Sequence, residues 1–190
     1  ERLLLATEDS TGVLFWTPDG ESGVYEVSSS SADWGFWKLD IEGNGTPEPF
    51  LPDSSSKWAA ALSPDGNWVT YGSNASGRNE VYVRAFDGTG SAIRVSTSGG
   101  GQPHWRRDGS ELFYLDATNK IVAVPVTPGN PPAFGRPEVL FQTRIEETTD
   151  RQYEVTADGQ HFILNEPLIT IDEPVIVTTD WQHLLERSQP

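Results

Sequence analysis

The strongest constraint on this chain is a short corner that recurs four times. The sequence reads WTPDG, LSPDG, WRRDG and VTADG, and the glycines of these corners are residues 20, 66, 109 and 159. The glycines are therefore 46, 43 and 50 residues apart. An aspartate can accept hydrogen bonds from its own backbone in a turn, and glycine readily adopts the positive φ of a tight turn. Each corner is predicted to join two antiparallel strands.

The residues after each corner also repeat. Apolar or small residues stand three and five positions beyond each glycine, namely Gly23 and Tyr25, Val69 and Tyr71, Leu112 and Tyr114, and Phe162 and Leu164. Side chains two positions apart share one face of a strand. The pattern therefore predicts a half-buried strand in four copies, with Gly23 as the weakest match.

Further strands complete each repeat. A third strand is predicted at GFWKLDI, EVYVRAF, KIVAVPV and PVIVTTD, and a fourth at EPFL, AIRVS and EVLF. Four short antiparallel strands in every repeat are typical of β-propeller blades. We therefore predict an all-β propeller of about four blades in one domain, with blades at 8–51, 52–96, 97–141 and 142–182.

The two ends of the chain fit this scheme in two ways. Residues 1–7 open with Glu-x-Leu-Leu and resemble the outer strands that begin at Glu48 and Glu138. Because exposed sheet edges recruit other chains, a ring is expected to pair its edges. Residues 1–7 either complete the last blade or are the remnant of a preceding blade, and the sequence leaves both options open.

Composition excludes several classes of partner. The net charge is −15, with 28 acidic and 13 basic residues. A surface of this sign repels nucleic acid and anionic lipid, so neither is expected as a partner. No apolar run is long enough to predict insertion into a membrane. The absence of cysteine excludes disulfides and cysteine-ligated zinc.

The repeat unit, W-S/T-P-D-G followed by Tyr and I/V-Y-V, resembles that of TolB-type β-propellers. Residues 63–88 and 99–115 carry the resemblance most clearly. It implies a bacterial periplasmic or extracellular module of the kind found in TolB and in receptor Ser/Thr kinases. Because such propellers usually have six or more blades, three alternatives stay open: a four-blade ring, an eight-blade ring of two chains, or part of a longer protein.

Motifs for catalysis are absent from the sequence. It lacks the kinase Gly-rich loop and the G-x-S-x-G elbow of serine hydrolases. Residues 40–51 begin like a calcium loop, but Leu51 stands where a bidentate carboxylate is required, so a plain turn is favoured. We expect a chain that is not an enzyme and that needs no cofactor or metal.

Candidate binding residues follow from the predicted ring. His104 and Glu154 occupy equivalent innermost strands, where they either face the central channel or, for His104, pack between blades. Arg106 and Arg107 replace Ser-Pro or Thr-Pro of the first two corners. They either clamp a carboxylate or phosphate or bridge to acidic neighbours on adjacent corners. Trp34 begins a third strand as a candidate for an exposed contact anchor, with core packing as the alternative, and Trp37 takes the inward position of the same strand.

The resulting functional hypothesis is a non-enzymatic binding, sensing or scaffold module that docks a protein or peptide at the propeller face. One alternative is a structural fragment that assembles with itself into a larger ring. The other is a propeller hydrolase or lyase with a channel site built from His104 and Glu154.

Overall fold

The computed structural model describes residues 5–6, 9–28, 34–42, 46–145 and 151–166, and every regular element in them is a β-strand. The first sheet contains β1 (Ser10–Trp16), β2 (Ser22–Ser28), β3 (Trp34–Asp40) and β4 (Glu48–Phe50). The second contains β5 (Lys57–Leu62), β6 (Trp68–Ser73), β7 (Glu80–Ala85) and β8 (Ile93–Arg94). The third contains β9 (Gly101–Trp105), β10 (Glu111–Leu115), β11 (Lys120–Thr127), β12 (Ala133–Phe134) and β13 (Glu138–Gln142). The fourth contains β14 (Tyr153–Val155) and β15 (Phe162–Leu164).

The strands of each sheet are antiparallel and follow chain order in the first and second sheets. In the third sheet both β12 and β13 pair with β11, and β12 was not expected from the sequence. The all-β prediction is confirmed, and so is the repetition of four-stranded antiparallel sheets. The strand predicted at 174–180 and most of residues 1–7 lie outside the described residues, so the closure of the last blade and the blade boundaries stay predictions.

The four corners have the geometry that their residues predicted. Each joins the first two strands of a sheet, and its glycine has a φ of 72° to 74°. The aspartate of each corner accepts the backbone N–H two residues on, as in the 2.9 Å bond from Glu21 to Asp19. The register also repeats, because the first residue of each corner pairs with the position three beyond its glycine.

The sheets stack face to face, and three apolar clusters fill the spaces between successive sheets. Both faces of the second strand are consequently buried in the second and third sheets, where Thr70 and Phe113 are as inaccessible as Val69 and Leu112. The expectation of a half-buried strand was therefore wrong for these two sheets, because each is covered by a neighbour on both sides. In β3 the structure buries Phe36, whereas Trp37, predicted to point inward, is only half-buried.

Candidate functional site

The first strands of the sheets lie side by side, since β5 contacts both β1 and β9. In β9 the backbone of Gln102 has a φ of 52°, which is unusual for a side chain with a Cβ, and the strand pairing is irregular there. Gln102 connects β9 to the chain around β14, because its Oε1 accepts the Gln152 N–H at 2.7 Å. Its carbonyl accepts the hydroxyl of Tyr153 at 2.8 Å. Full burial raises the pKa of Tyr153, so this hydroxyl keeps its proton and its hydrogen bond.

His104 and Glu154, both candidates from the sequence, meet in the structure. The Nε2 atom of His104 lies 2.8 Å from Oε2 of Glu154, and Nδ1 lies 2.9 Å from the carbonyl oxygen of Trp105. A carboxylate and a carbonyl oxygen both accept hydrogen bonds. The ring therefore satisfies both partners only when both of its nitrogens carry a proton. His104 is half-buried and Glu154 is exposed, so the carboxylate of Glu154 is accessible to solvent.

Arg151 joins this pair, although the sequence reasoning did not select it. One guanidinium nitrogen, Nη1, lies 3.6 Å from Oε1 of Glu154, and Nη2 donates to the carbonyl oxygen of Ala60 at 3.4 Å. Ala60 belongs to β5, so Arg151 reaches from the fourth sheet to the second. Its position three residues before Glu154, just ahead of β14, was the available signal. We call His104, Arg151 and Glu154 the channel cluster.

The remaining candidates lie in other environments. Arg106 uses its guanidinium within its own repeat, donating from Nη1 to Oε2 of Glu111 at 2.8 Å and lying 3.3 Å from Oδ2 of Asp108. The hydrogen bond to Glu111 raises the pKa of Arg106, so its charge is permanent. Arg107 is exposed. Trp34 is half-buried and lines a separate cavity of about 770 Å³ beside β3 and β4.

The channel cluster brings together one guanidinium, one imidazole and one exposed carboxylate, with Glu154 in contact with both of the other side chains. Such a set complements a ligand that carries both charges, as a peptide does. Among the described residues, His, Asp and Glu side chains form no group of three or more that is suited to a metal ion. The described part of the chain also contains no helix that could cross a membrane.

Comparison with solved structures identifies the fold. The chain is 20% identical to TolB from Acinetobacter baumannii with a TM-score of 0.62, and the match covers 85% of this chain and 39% of that one. It is 22% identical to a protein assigned as TolB from Agrobacterium tumefaciens, with a TM-score of 0.54 and coverages of 74% and 52%. A third match is a protein assigned as a 6-phosphogluconolactonase from Bacteroides uniformis, 19% identical with a TM-score of 0.52 and coverages of 82% and 47%.

The chain thus spans about half or less of the length of these proteins. No protein-family model and no curated protein matches its sequence. The structural matches nevertheless agree with the repeat pattern, the antiparallel four-stranded sheets and their face-to-face stacking. The resemblance seen in the sequence is confirmed at the level of the fold: this chain has the β-propeller fold of TolB-type proteins.

Proposed function

We propose that the chain is a non-enzymatic binding module that docks a protein or peptide segment at the channel cluster. The observation that carries this proposal is that His104 and Arg151 both contact the exposed carboxylate of Glu154. A propeller scaffold holds such side chains on rigid strands, so little conformational entropy is lost when a segment binds.

The geometry of Glu154 favours reversible recognition. Oε2 is held by His104 at 2.8 Å, whereas Oε1 is 3.6 Å from Arg151, a distance beyond a good hydrogen bond. Arg151 is therefore free to exchange its long contact for a ligand carboxylate, and Oε1 can accept a ligand N–H. Arg107 and Trp34 are proposed as secondary contacts for a larger partner, and the TolB-type fold supports a periplasmic or extracellular setting.

A second candidate function uses the same residues. A histidine hydrogen-bonded to a carboxylate is a common arrangement for general acid–base catalysis. One structural match is assigned as a 6-phosphogluconolactonase. A propeller hydrolase or lyase is therefore the alternative, and it predicts turnover that is lost in His104→Ala.

The proposal is tested by selecting binders from a random peptide library with the full 190-residue chain and measuring their affinity by fluorescence anisotropy. We expect Arg151→Met and Glu154→Gln each to weaken binding about tenfold, since each removes a charged contact that loses its water when the peptide binds. Arg136→Met is the matched control, because Arg136 is an exposed arginine outside the channel cluster. If Arg136→Met weakens binding as much as Arg151→Met does, or if no peptide is selected, the proposal fails.

A further inference from the structure

The stacking of the sheets follows one rule. In the second, third and fourth sheets, the residues three and five beyond the corner glycine pack against the sheet that precedes them in the chain. The residue four beyond the glycine points to the opposite side of the sheet. Val24 of the first sheet thus packs against the second sheet, and Phe113 of the third packs against the fourth. We call the side toward the preceding sheet the leading face and the opposite side the trailing face.

The corners stack by the same rule. A Cβ placed on Gly66 would lie 2.8 Å from the ring of Pro18 in the first corner, and one on Gly159 would lie 3.2 Å from Cδ of Arg106 in the third corner. A Cβ on Gly109, in the third corner, would lie 3.9 Å from Cδ of Pro64 in the second corner. Gly20, in the first corner, has open space around the same position.

The part of the leading face that β1 forms in the first sheet is exposed, although it carries the residues of an interface. Trp16 is 56% exposed, whereas Trp105 at the equivalent position of the third sheet is only 7% exposed. Val13 is 79% exposed and pairs across the strands with Tyr25, which places Val13 on this leading face, whereas Tyr25 itself is buried. An apolar surface of this kind on a charged molecule marks an interaction site.

The trailing face of the fourth sheet is the counterpart. Ile163 is 58% exposed, whereas Phe113, its equivalent in the third sheet, is 1% exposed beneath Phe162. The molecule therefore carries both halves of an interface that it forms three times internally. Among the described residues of one copy these halves do not cover each other, since Trp16 and Ile163 are both exposed.

We infer that a second copy of this chain docks the trailing face of its fourth sheet on the leading face of the first sheet. The contact is head to tail and continues the internal stacking across the boundary between the copies. Because β14 and β1 are both innermost strands, docking brings Glu154 of one copy next to β1 of the other. The inference goes beyond the proposed function, and it does not depend on any peptide ligand.

The test is the mass of the full chain in solution, measured by light scattering across a wide range of protein concentrations. We expect the mass to rise from that of one chain, 20.9 kDa, toward that of two or more copies. Each copy carries a charge of −15, so added salt should strengthen the association by screening the repulsion. Val13→Glu and Ile163→Glu should each raise the dissociation constant about tenfold or more, because each places a charge in the apolar contact.

Two controls make this test specific. Val139→Glu changes a second exposed valine, which lies in β13 of the third sheet and outside both proposed contact faces, so it should leave the association unchanged. An equimolar mixture of Val13→Glu and Ile163→Glu should recover association, because one of the two contacts then joins two unaltered faces. Denaturant unfolding shows whether each variant is folded.

Two results would overturn the inference. One is a mass of one chain at every concentration and salt level. The other is an association that Val13→Glu and Ile163→Glu affect no more than Val139→Glu does.

Discussion

The first and third sheets are built from the same repeat, yet their environments differ. Trp16 and Trp105 each begin a corner, and each pairs with the residue three beyond the glycine of that corner. Trp105 is packed among Leu112, Val124 and the second sheet, whereas Trp16 lies over Gly23 and stays 56% exposed. The comparison teaches that the motif specifies the strand and its register, and that the neighbouring sheet decides how much free energy each side chain contributes.

The largest expected effect separates a covered from an uncovered trailing face. Phe113→Ala should lower the free energy of unfolding by about 3–5 kcal/mol, because it leaves a cavity beneath Phe162. Ile163→Ala, at the equivalent position, should change it by no more than about 0.5 kcal/mol in dilute solution. Urea unfolding of both variants measures the difference. Equal losses would mean that Ile163 is covered in the folded chain.

An intermediate effect is expected at the corners. Ala in place of Gly20 meets open space and costs only the positive φ, about 1 kcal/mol. Gly159→Ala adds a contact of 3.3 Å with the ring of Phe113 and should cost about 2–3 kcal/mol in total. The same unfolding measurement applies. If the two variants lose equal stability, the fourth corner is not packed tightly against Arg106 and Phe113.

The smallest effect concerns the ionisation of the corner aspartates. The hydroxyl of Thr17 donates to Asp19 at 2.5 Å, and this bond, with the N–H of Glu21, holds the pKa of Asp19 below 3.8. In the third corner Arg106 replaces the hydroxyl residue, and the pKa of Asp108 is lowered chiefly by Ser110 instead. Thr17→Val should therefore raise the pKa of Asp19 more than Arg106→Met raises that of Asp108, as followed by NMR titration.

The sign of the pH effect follows from these lowered values. A carboxyl whose folded pKa lies below its unfolded value of about 3.8 stabilises the fold above that pH, and the stabilisation is lost as the pH falls through the folded pKa. As the pH is lowered from about 5 to about 3, the urea midpoint of the parent chain should therefore decrease, and that of Thr17→Val should decrease less. An identical fall in both would show that the corner bond does not lower the pKa.

Much of the fold could be predicted because its signals are local. The Asp-Gly corners, the alternation after them and the third strands at β3, β7 and β11 all depend on neighbours within a few residues. The burial of Phe36 in place of Trp37 could not be predicted, because it depends on which side of β3 the second sheet covers. The short strand β12 could not be predicted either, because it is defined by its pairing with the end of β11.

The candidate site was predictable in part for the same reason. His104 and Glu154 were recognised from their equivalent places in the repeat, but their hydrogen bond joins residues 50 positions apart. The contact between Arg151 and Ala60 could not be predicted, since these two residues are 91 positions apart. Arg106 was equally suited to bind a ligand or a neighbouring carboxylate until Glu111 was found 2.8 Å from its guanidinium.

By itself the sequence determined the repeat: where the turns fall, which residues form strands and that the chain is all β. Turn torsions and side-chain alternation are local properties, so they are written in consecutive residues. The tertiary structure alone decided which faces are covered, which charges meet at the channel cluster and why Trp16 and Ile163 stay exposed. These features depend on the stacking of separate sheets, because stacking brings together residues that are far apart in the chain.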